Sequence, residues 1–242
     1  MSRIDARDRL IVALDVADSA AAKAMVRDLE GVATFFKIGL TLQLATGAED
    51  LIRRLIDEGK QVFLDYKYYD ISETLKKAVR RAAGLGVSFL TIHGPSNLIR
   101  AAVEGRGESP LKLFTVTVLT SLDAGDMAEM GYTRHSVEEL VLFRAGKALE
   151  AGCDGVIASG LETRAIKELS RDKLLVVTPG IRPEGYGPDD QKRRTTPRQA
   201  ITEGADYLVI GRPITEPTGT SPRHAAQQIL DEMQSAFDSL TG

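Results

Sequence analysis

The sequence has no tryptophan and only one cysteine in 242 residues, and these scarcities limit what the chain can do. Because aromatic residues make up only 5% of the chain, a platform on which nucleic-acid bases stack is not expected. The net charge of −3 and the pI near 5.7 also argue against a nucleic-acid binder. The single Cys153 excludes an intramolecular disulfide and a cysteine-rich metal site, and we expect it to be a small buried residue.

Long apolar runs are also missing. None approaches the roughly 18 residues that a membrane-spanning helix needs, and the charged residues 1–8 contain no signal-peptide core. What is present is ordinary for a globular protein with a sizeable core, with 43% hydrophobic and 27% charged residues. We therefore expect a cytoplasmic protein that binds neither a membrane nor nucleic acid.

Eight short apolar runs alternate with segments of helical spacing along the chain. The runs span residues 10–15, 34–39, 61–67, 88–93, 112–119, 154–159, 173–179 and 207–211. Runs that are apolar on both faces are typical of parallel strands covered by helices. Helical spacing follows at 20–29, with Asp18 as a candidate N-cap, and at 72–83, 136–151 and 221–240.

Eight such units, with no Pro/Gly/Ser-rich linker between them, predict a (β/α)8 TIM barrel that spans residues 1–242 as a single domain. The alternative is a doubly wound open sheet, which normally has a glycine-rich phosphate-binding turn after its first strand. The residues that follow the first run, 16–19, include no glycine. The barrel is therefore favoured.

Opposite charges crowd the carboxyl end of the third run. Asp65 and Lys67 lie on the same side of a strand because successive side chains alternate, and Asp70 follows in the loop. Adjacent strands are about 5 Å apart, so Lys37 at the end of the second run can reach Asp65. One such pair would ordinarily be a structural ion pair. Four charges of alternating sign, at the end of a barrel where active sites lie, instead indicate a preorganised polar site.

The loops after the seventh and eighth strands predict a phosphate site, because barrels of this kind often bind phosphate there. Gly180 precedes Arg182 in one loop, and Gly211 precedes Arg212 in the other. Glycine lets backbone N–H groups approach an anion and arginine is a two-pronged donor, although either pattern alone would be an ordinary turn. The long polar loop 183–197 between them is typical of a lid, the alternative being a disordered surface excursion.

A magnesium site formed by Asp15, Asp65 and Asp70 is a competing interpretation of the carboxylates. Lys37 and Lys67 lie among these carboxylates and would repel a cation. No two of the three histidines have metal-ligand spacing. We therefore expect no metal.

The sequence Asp65-x-Lys67-x-x-Asp70-Ile71-x-x-Thr74 resembles the signature of the orotidine 5'-monophosphate decarboxylase family, which catalyses the last step of pyrimidine synthesis. The resemblance covers essentially the whole chain. Further segments that follow the family's order and spacing are Leu14-Asp15, Phe36-Lys37-Ile38-Gly39, Val116-Thr117-Val118-Leu119-Thr120-Ser121, Thr178-Pro179-Gly180-Ile181-Arg182 and Ile210-Gly211-Arg212-Pro213-Ile214.

The Asp-x-Lys-x-x-Asp element also occurs in sugar-phosphate relatives that use magnesium, 3-keto-L-gulonate 6-phosphate decarboxylase and hexulose-phosphate synthase. Thr74, the Thr120-Ser121 pair and Gln191 with its following basic run fit the orotidylate branch better. A third possibility is a catalytically silent barrel that only binds a nucleotide or a protein. Such a chain would be expected to have lost the lysine or an aspartate of the motif, and none is lost here.

The resemblance implies a cofactor-free homodimer with two active sites at its interface, which converts orotidine 5'-monophosphate to UMP and CO2. Lys67 would donate a proton to C6 of the pyrimidine, with Asp65 and Lys37 beside it. The other implied roles are contacts with the partner's site from Asp70, Ile71 and Thr74, ribose contacts from Asp15 and Lys37, a pyrimidine contact from Thr120, and phosphate contacts from Gln191, Gly211, Arg212 and Arg182.

Overall fold

A computed structural model describes residues 4–187 and 189–241. Residues 1–3 of the charged amino-terminal segment, Pro188 of the long loop and Gly242 lie outside the described residues. Eight parallel strands close into a barrel, in which each strand pairs with its neighbours along the chain and the eighth pairs with the first. The prediction of a (β/α)8 TIM barrel is therefore confirmed.

The strands are β1 (Leu10–Ala13), β2 (Phe35–Ile38), β3 (Gln61–Tyr68), β4 (Phe89–Ile92), β5 (Lys112–Val116), β6 (Gly155–Ile157), β7 (Leu175–Thr178) and β8 (Tyr207–Ile210). The helices are α1 (Ser19–Asp28), α2 (Leu40–Gln43), α3 (Ala48–Asp57), α4 (Ser72–Gly84), α5 (Ser96–Arg106), α6 (Ala124–Glu129), α7 (Val137–Glu150), α8 (Thr163–Ser170), α9 (Pro197–Thr202), α10 (Arg212–Thr215) and α11 (Pro222–Thr241). A 3-10 helix, Ala6–Asp8, precedes β1.

All eight predicted strands are present, and the four predicted helices correspond to α1, α4, α7 and α11. Asp18 caps α1 as predicted, because its carboxylate accepts hydrogen bonds from the N–H groups of Ala20 and Ala21 at 2.9 and 2.8 Å. The prediction that β5 extends to residue 119 is wrong. The strand ends at Val116, and the chain then turns at Leu119, whose carbonyl accepts a hydrogen bond from the Leu122 N–H.

Phenylalanine and small aliphatic residues of the strands form one buried cluster inside the barrel. Four of the seven phenylalanines in the sequence, Phe35, Phe63, Phe89 and Phe114, are buried together there. The ring of Phe89 lies 4.8 Å from that of Phe35 and 4.6 Å from that of Phe114, centroid to centroid. Offset and edge-on ring pairs at such distances stabilise a core beyond the apolar area they bury. We call these four phenylalanines the barrel floor, because the next layer toward the carboxyl ends of the strands is polar.

The opposite faces of the strands pack against the helices, which is why the predicted runs are apolar on both sides. Cys153 is buried as expected, and burial raises the pKa of its thiol to about 12. Across the described ranges, 4–187 and 189–241, no helix combines the length and apolarity needed to cross a bilayer.

Candidate active site

A cavity of about 470 Å³ opens at the carboxyl ends of the strands. This is the end of a TIM barrel at which active sites are built. Nine of the residues predicted to form the site line this cavity: Asp15, Lys37, Asp65, Lys67, Thr120, Arg182, Gln191, Gly211 and Arg212. The three others, Asp70, Ile71 and Thr74, are exposed, and they are not among the described residues that line the cavity.

A row of alternating charges crosses one wall of the cavity. The Lys67 ammonium lies 2.9 Å from Asp65 Oδ1, and the Lys37 ammonium lies 3.5 Å from Asp65 Oδ2. Lys37 also donates to Asp15 Oδ1 at 3.0 Å. Within one chain the fourth charge of the row is therefore Asp15, whereas the sequence had suggested Asp70. The exposed Asp70 carboxylate accepts a hydrogen bond from the Ile71 N–H instead.

Asp65 is the most buried carboxylate of this row, with 17% of its side chain exposed. Burial by itself would raise the pKa of Asp65, but the charges of Lys37 and Lys67 and hydrogen bonds from Lys67 and Thr91 outweigh it, so the pKa is lowered. The carboxylate is therefore ionised at neutral pH. The structure therefore places an ionised Asp65 between the ammonium groups of Lys37 and Lys67.

Gly39 leaves room for the contact between Lys37 and Asp15. A Cβ atom built on Gly39 would lie 2.9 Å from Lys37 Nζ and 3.0 Å from Asp15 Oδ1, so the ends of these two side chains would have to shift. Glycine therefore lets the pair close over the backbone between β2 and α2. In the sequence, this glycine stands out only as part of the segment Phe36-Lys37-Ile38-Gly39.

Thr91 of β4 contacts the charged row and was missed by the sequence analysis. It is fully buried, and its hydroxyl donates to Asp65 Oδ1 at 2.9 Å. A pattern in the sequence could have found it, since three consecutive strands have a phenylalanine of the barrel floor followed two residues later by a polar residue. The three segments are Phe35-Phe36-Lys37, Phe63-Leu64-Asp65 and Phe89-Leu90-Thr91.

The two predicted phosphate-binding arginines stand together on another wall of the cavity, and both pair with carboxylates of the loop that follows β7. Arg182 donates to Asp189 through Nε and Nη2 at 2.7 and 2.6 Å. Arg212 pairs with Asp190, and its Nη2 lies 3.3 Å from Asp189 Oδ2. Burial opposes ionisation of Asp189, but a hydrogen bond from the Gln191 N–H and the two guanidinium charges lower its pKa.

Gln191 joins this loop to the loop after β5, where its Oε1 accepts a hydrogen bond from the Thr120 hydroxyl at 2.5 Å. Gly180 makes room for the contact. Its φ of +73° is a conformation that glycine adopts without strain, and a Cβ there would lie 3.2 Å from Gln191 Oε1. The predicted pyrimidine and phosphate residues are thus in direct contact across the mouth of the barrel.

A buried ion pair fixes the end of the same loop. Arg193 Nη1 lies 2.5 Å from Glu162 Oε1, and Arg193 Nη2 donates to the carbonyls of Val118 and Leu119 at 2.9 and 3.1 Å. Glu162, which follows β6, was not identified from the sequence. The partners are 31 positions apart, and no local pattern signals their pairing. The described part of the loop 183–197 is therefore anchored at this end, contrary to a disordered surface excursion.

Residues 4–187 and 189–241 contain no group of three or more His, Cys, Asp or Glu side chains that could hold a metal ion. His93 packs at the rim, with its ring 5.7 Å from that of Tyr69. Burial, together with the charges of Arg144 and Lys67, lowers the pKa of His93 and favours the neutral ring.

Comparison with known proteins gives one consistent family. The model of the orotidine 5'-phosphate decarboxylase / HUMPS family matches residues 8–229. An orotidine 5'-phosphate decarboxylase from Nitrobacter winogradskyi is 52% identical over 232 residues, which are 96% of this chain and 95% of the relative. One from Rhodopseudomonas palustris is 48% identical over 96% of this chain and 97% of the relative.

Solved structures agree with the sequence relatives. The crystal structure of orotidine 5'-phosphate decarboxylase from Lactobacillus acidophilus superposes with a TM-score of 0.79 at 33% identity, covering 93% of this chain and 98% of that one. An uncharacterized conserved protein from Geobacillus kaustophilus gives a TM-score of 0.78 at 30% identity, covering 93% of this chain and 99% of that one. With its barrel, its cavity and these matches, the chain belongs to the orotidine 5'-phosphate decarboxylase / HUMPS family.

Proposed function

We propose that the protein decarboxylates orotidine 5'-monophosphate to UMP and CO2, the last step of de novo pyrimidine synthesis. The observation that carries the proposal is the Lys67 ammonium, which is bound to Asp65 in a cavity that two arginines enter from another wall. The sequence relatives described above are named orotidine 5'-phosphate decarboxylases and match nearly the whole chain, so they favour this activity over the sugar-phosphate alternative.

Lys67 is the proposed proton donor. When the bond from C6 to the carboxylate breaks, its electron pair stays on C6, and no cofactor is present in this scheme to delocalise the charge. An ammonium held beside C6 stabilises the developing charge and then transfers its proton to that carbon. Asp65 holds the Lys67 ammonium through a 2.9 Å contact with its Oδ1. The Lys37 ammonium forms an ion pair with the other oxygen of Asp65.

The nucleotide would lie across the cavity between this row and the arginines. Asp15 and Lys37, at the ends of β1 and β2, would take the ribose hydroxyls, and Thr120 the edge of the pyrimidine. These groups offer the donors and acceptors that a sugar and a base present.

Arg212 is the proposed main phosphate ligand, with Gln191 and the Gly211 backbone beside it and Arg182 assisting. Arg212 has 39% of its side chain exposed, whereas Arg182 has 9% and is also tied to the Ile181 carbonyl. The more exposed guanidinium can turn from Asp190 to an incoming anion. Contacts this far from C6 can drive closure of the loop 183–197 over the substrate, the role of a lid.

Each active site is proposed to be completed by a second copy of the chain. Asp70, Ile71 and Thr74 lie outside the cavity of their own chain, although they belong to the same motif as Lys67. Large apolar side chains are exposed after β2 and β3, with Leu44 93%, Ile71 72% and Tyr69 65% exposed. An apolar rim of this kind suits an interface between subunits. A homodimer would bury it and bring Asp70 to the partner's site.

The decisive experiment is a decarboxylation assay in buffer containing a chelator. Released CO2 and UMP from orotidine 5'-monophosphate would support a metal-free reaction. Activity that appears only with magnesium, and on 3-keto-L-gulonate 6-phosphate, would favour the alternative branch of the superfamily. UMP binding without turnover on either substrate would indicate a catalytically silent barrel. The single domain 1–242, the lack of a cofactor or metal, the lack of nucleic-acid and membrane binding and the cytoplasmic location stay predictions.

A further inference from the structure

Thr91 lies where β3 departs from regular pairing. Leu64 pairs with Leu90 and Tyr68 pairs with Ile92, so residues 65–67 of β3 all lie opposite the single residue Thr91 of β4. Extra residues on one strand leave backbone groups without their ladder partners. The residues left over here include Asp65 and Lys67, which the proposed function places at the reacting carbon.

The Thr91 hydroxyl supplies the missing partner and uses both of its hydrogen-bonding capacities. It accepts a hydrogen bond from the backbone N–H of Lys67 at 2.9 Å and donates one to Asp65 Oδ1 at 2.9 Å. Asp65 Oδ1 also accepts from the Lys67 ammonium at 2.9 Å. One hydroxyl therefore contacts both the backbone of Lys67 and the carboxylate of Asp65. Only a side chain that both donates and accepts can do this.

The backbone of Lys67 needs such support. Its φ is +48°, in the left-handed region that side chains other than glycine seldom adopt. Such conformations persist only where the surroundings enforce them, and they concentrate at functional sites. The direction in which the Lys67 side chain leaves β3 depends on this φ. A contact that holds its N–H therefore also aims its ammonium.

We propose that Thr91 is a positioning residue of the decarboxylation site, which holds Lys67 in its left-handed conformation and orients Asp65 through one shared hydroxyl. This inference rests on the proposed function. Thr91 itself does not line the described cavity, so it acts through the two residues it bonds. Its loss should change the rate of the chemical step more than the binding of the nucleotide.

The test compares two pairs of proteins in which the hydroxyl at position 91 is present or absent. Thr91→Val replaces the hydroxyl of the wild type with a methyl group, and Thr91→Ala lacks the hydroxyl that Thr91→Ser keeps. Thr117→Val is the matched control, because Thr117 is also fully buried and its hydroxyl donates to the Ile157 carbonyl at 2.7 Å, away from Asp65 and Lys67. For each protein, kcat and KM for orotidine 5'-monophosphate, the Kd of UMP and the thermal midpoint are measured.

We expect kcat to fall by about 100-fold in the Val and Ala variants, since displacing a catalytic group by about 1 Å can have that effect. KM and the Kd of UMP should stay near those of the wild type. Thr91→Ser should keep most of the wild-type kcat, and Thr117→Val should lower the thermal midpoint but leave kcat unchanged.

Wild-type kcat in a folded Val or Ala variant would overturn the proposal, as would equal losses in kcat and UMP binding. If neither hydroxyl-free variant folds, the hydroxyl is needed for the fold and the positioning role is rejected. If the wild-type protein does not decarboxylate orotidine 5'-monophosphate, the proposed function itself is wrong. The same kcat assay distinguishes this outcome, because it includes the wild type.

Discussion

The ammonium of Lys67 lies 2.9 Å from the carboxylate of Asp65, the residue two positions before it on the same strand. Side chains two residues apart share a face of a strand. The left-handed φ of Lys67, however, interrupts the regular strand at the second of them. The contact is therefore a product of the irregular end of β3 as much as of sequence spacing, and it places a cation and an anion together at the wall of the cavity.

Replacing Lys67 with alanine should abolish turnover while leaving UMP binding measurable. A positioned proton donor contributes about 10²- to 10⁴-fold, and loss of the stabilising charge adds to that. Steady-state assays with orotidine 5'-monophosphate and titration with UMP provide the measurements. Lys147→Ala is the control, because Lys147 forms an exposed ion pair with Glu150 on α7. Substantial residual turnover in Lys67→Ala would exclude the proton-donor role.

The pH dependence of stability should show the contribution of Asp65. Its pKa in the folded protein is lowered, so the ionised carboxylate stabilises the fold fully above the unfolded pKa, about 3.9, and this contribution is lost as the pH falls through the lower folded pKa. We expect the free energy of unfolding of the wild type to decline below about pH 5 relative to Asp65→Asn. Urea unfolding from pH 7 down to pH 3 measures it. A difference that stays constant or grows on acidification would contradict the expectation.

Much of the fold could be predicted because each strand is buried on both faces and stands out as an apolar run. The ends of the strands could be predicted less well, since they depend on turns such as that at Leu119. The charged row was partly predictable because Lys37, Asp65 and Lys67 follow apolar runs. That Asp15 rather than Asp70 completes the row within one chain depends on how far each loop turns back over the barrel, which residue spacing does not encode.

Residues held by tertiary contacts escaped the sequence analysis. Thr91 is a β-branched residue in a strand, where threonine is an ordinary choice. Its hydroxyl gains significance only from the irregular pairing of β3 with β4. Glu162 and Arg193 belong to different loops, and a buried charge pair cannot be recognised before the fold brings its members together.

Removing the Arg212 side chain should selectively weaken the binding of phosphorylated ligands. We expect Arg212→Ala to raise the inhibition constant of UMP by about 10- to 100-fold, as suits the loss of a hydrogen bond to a charged group. The inhibition constant of uridine should change little. Arg164→Ala is the control, because Arg164 pairs with Glu203 on the surface. Equal losses for UMP and uridine would contradict the phosphate assignment of Arg212.

The buried pair between Glu162 and Arg193 should be important for stability. Glu162→Ala leaves the Arg193 guanidinium buried without its carboxylate, and breaking a buried pair in this way costs about 3–5 kcal/mol. Urea denaturation measures the loss. Glu203→Ala, which removes an exposed partner of Arg164, should change the free energy of unfolding little. Similar decreases in the free energy of unfolding for the two substitutions would show that burial of the pair between Glu162 and Arg193 adds nothing to stability.

Mixing two inactive variants should restore activity if the sites are shared between subunits. Lys67→Ala and Asp70→Ala disable every site in their own homodimers, but a heterodimer has one site with both side chains intact. Random exchange of a two-fold dimer makes half of the dimers heterodimers with one intact site of two, so about a quarter of wild-type activity should return. The measurement is decarboxylation before and after subunit exchange, with mixing verified by differently tagged chains. No recovery despite verified exchange would indicate that Asp70 serves its own chain or neither site.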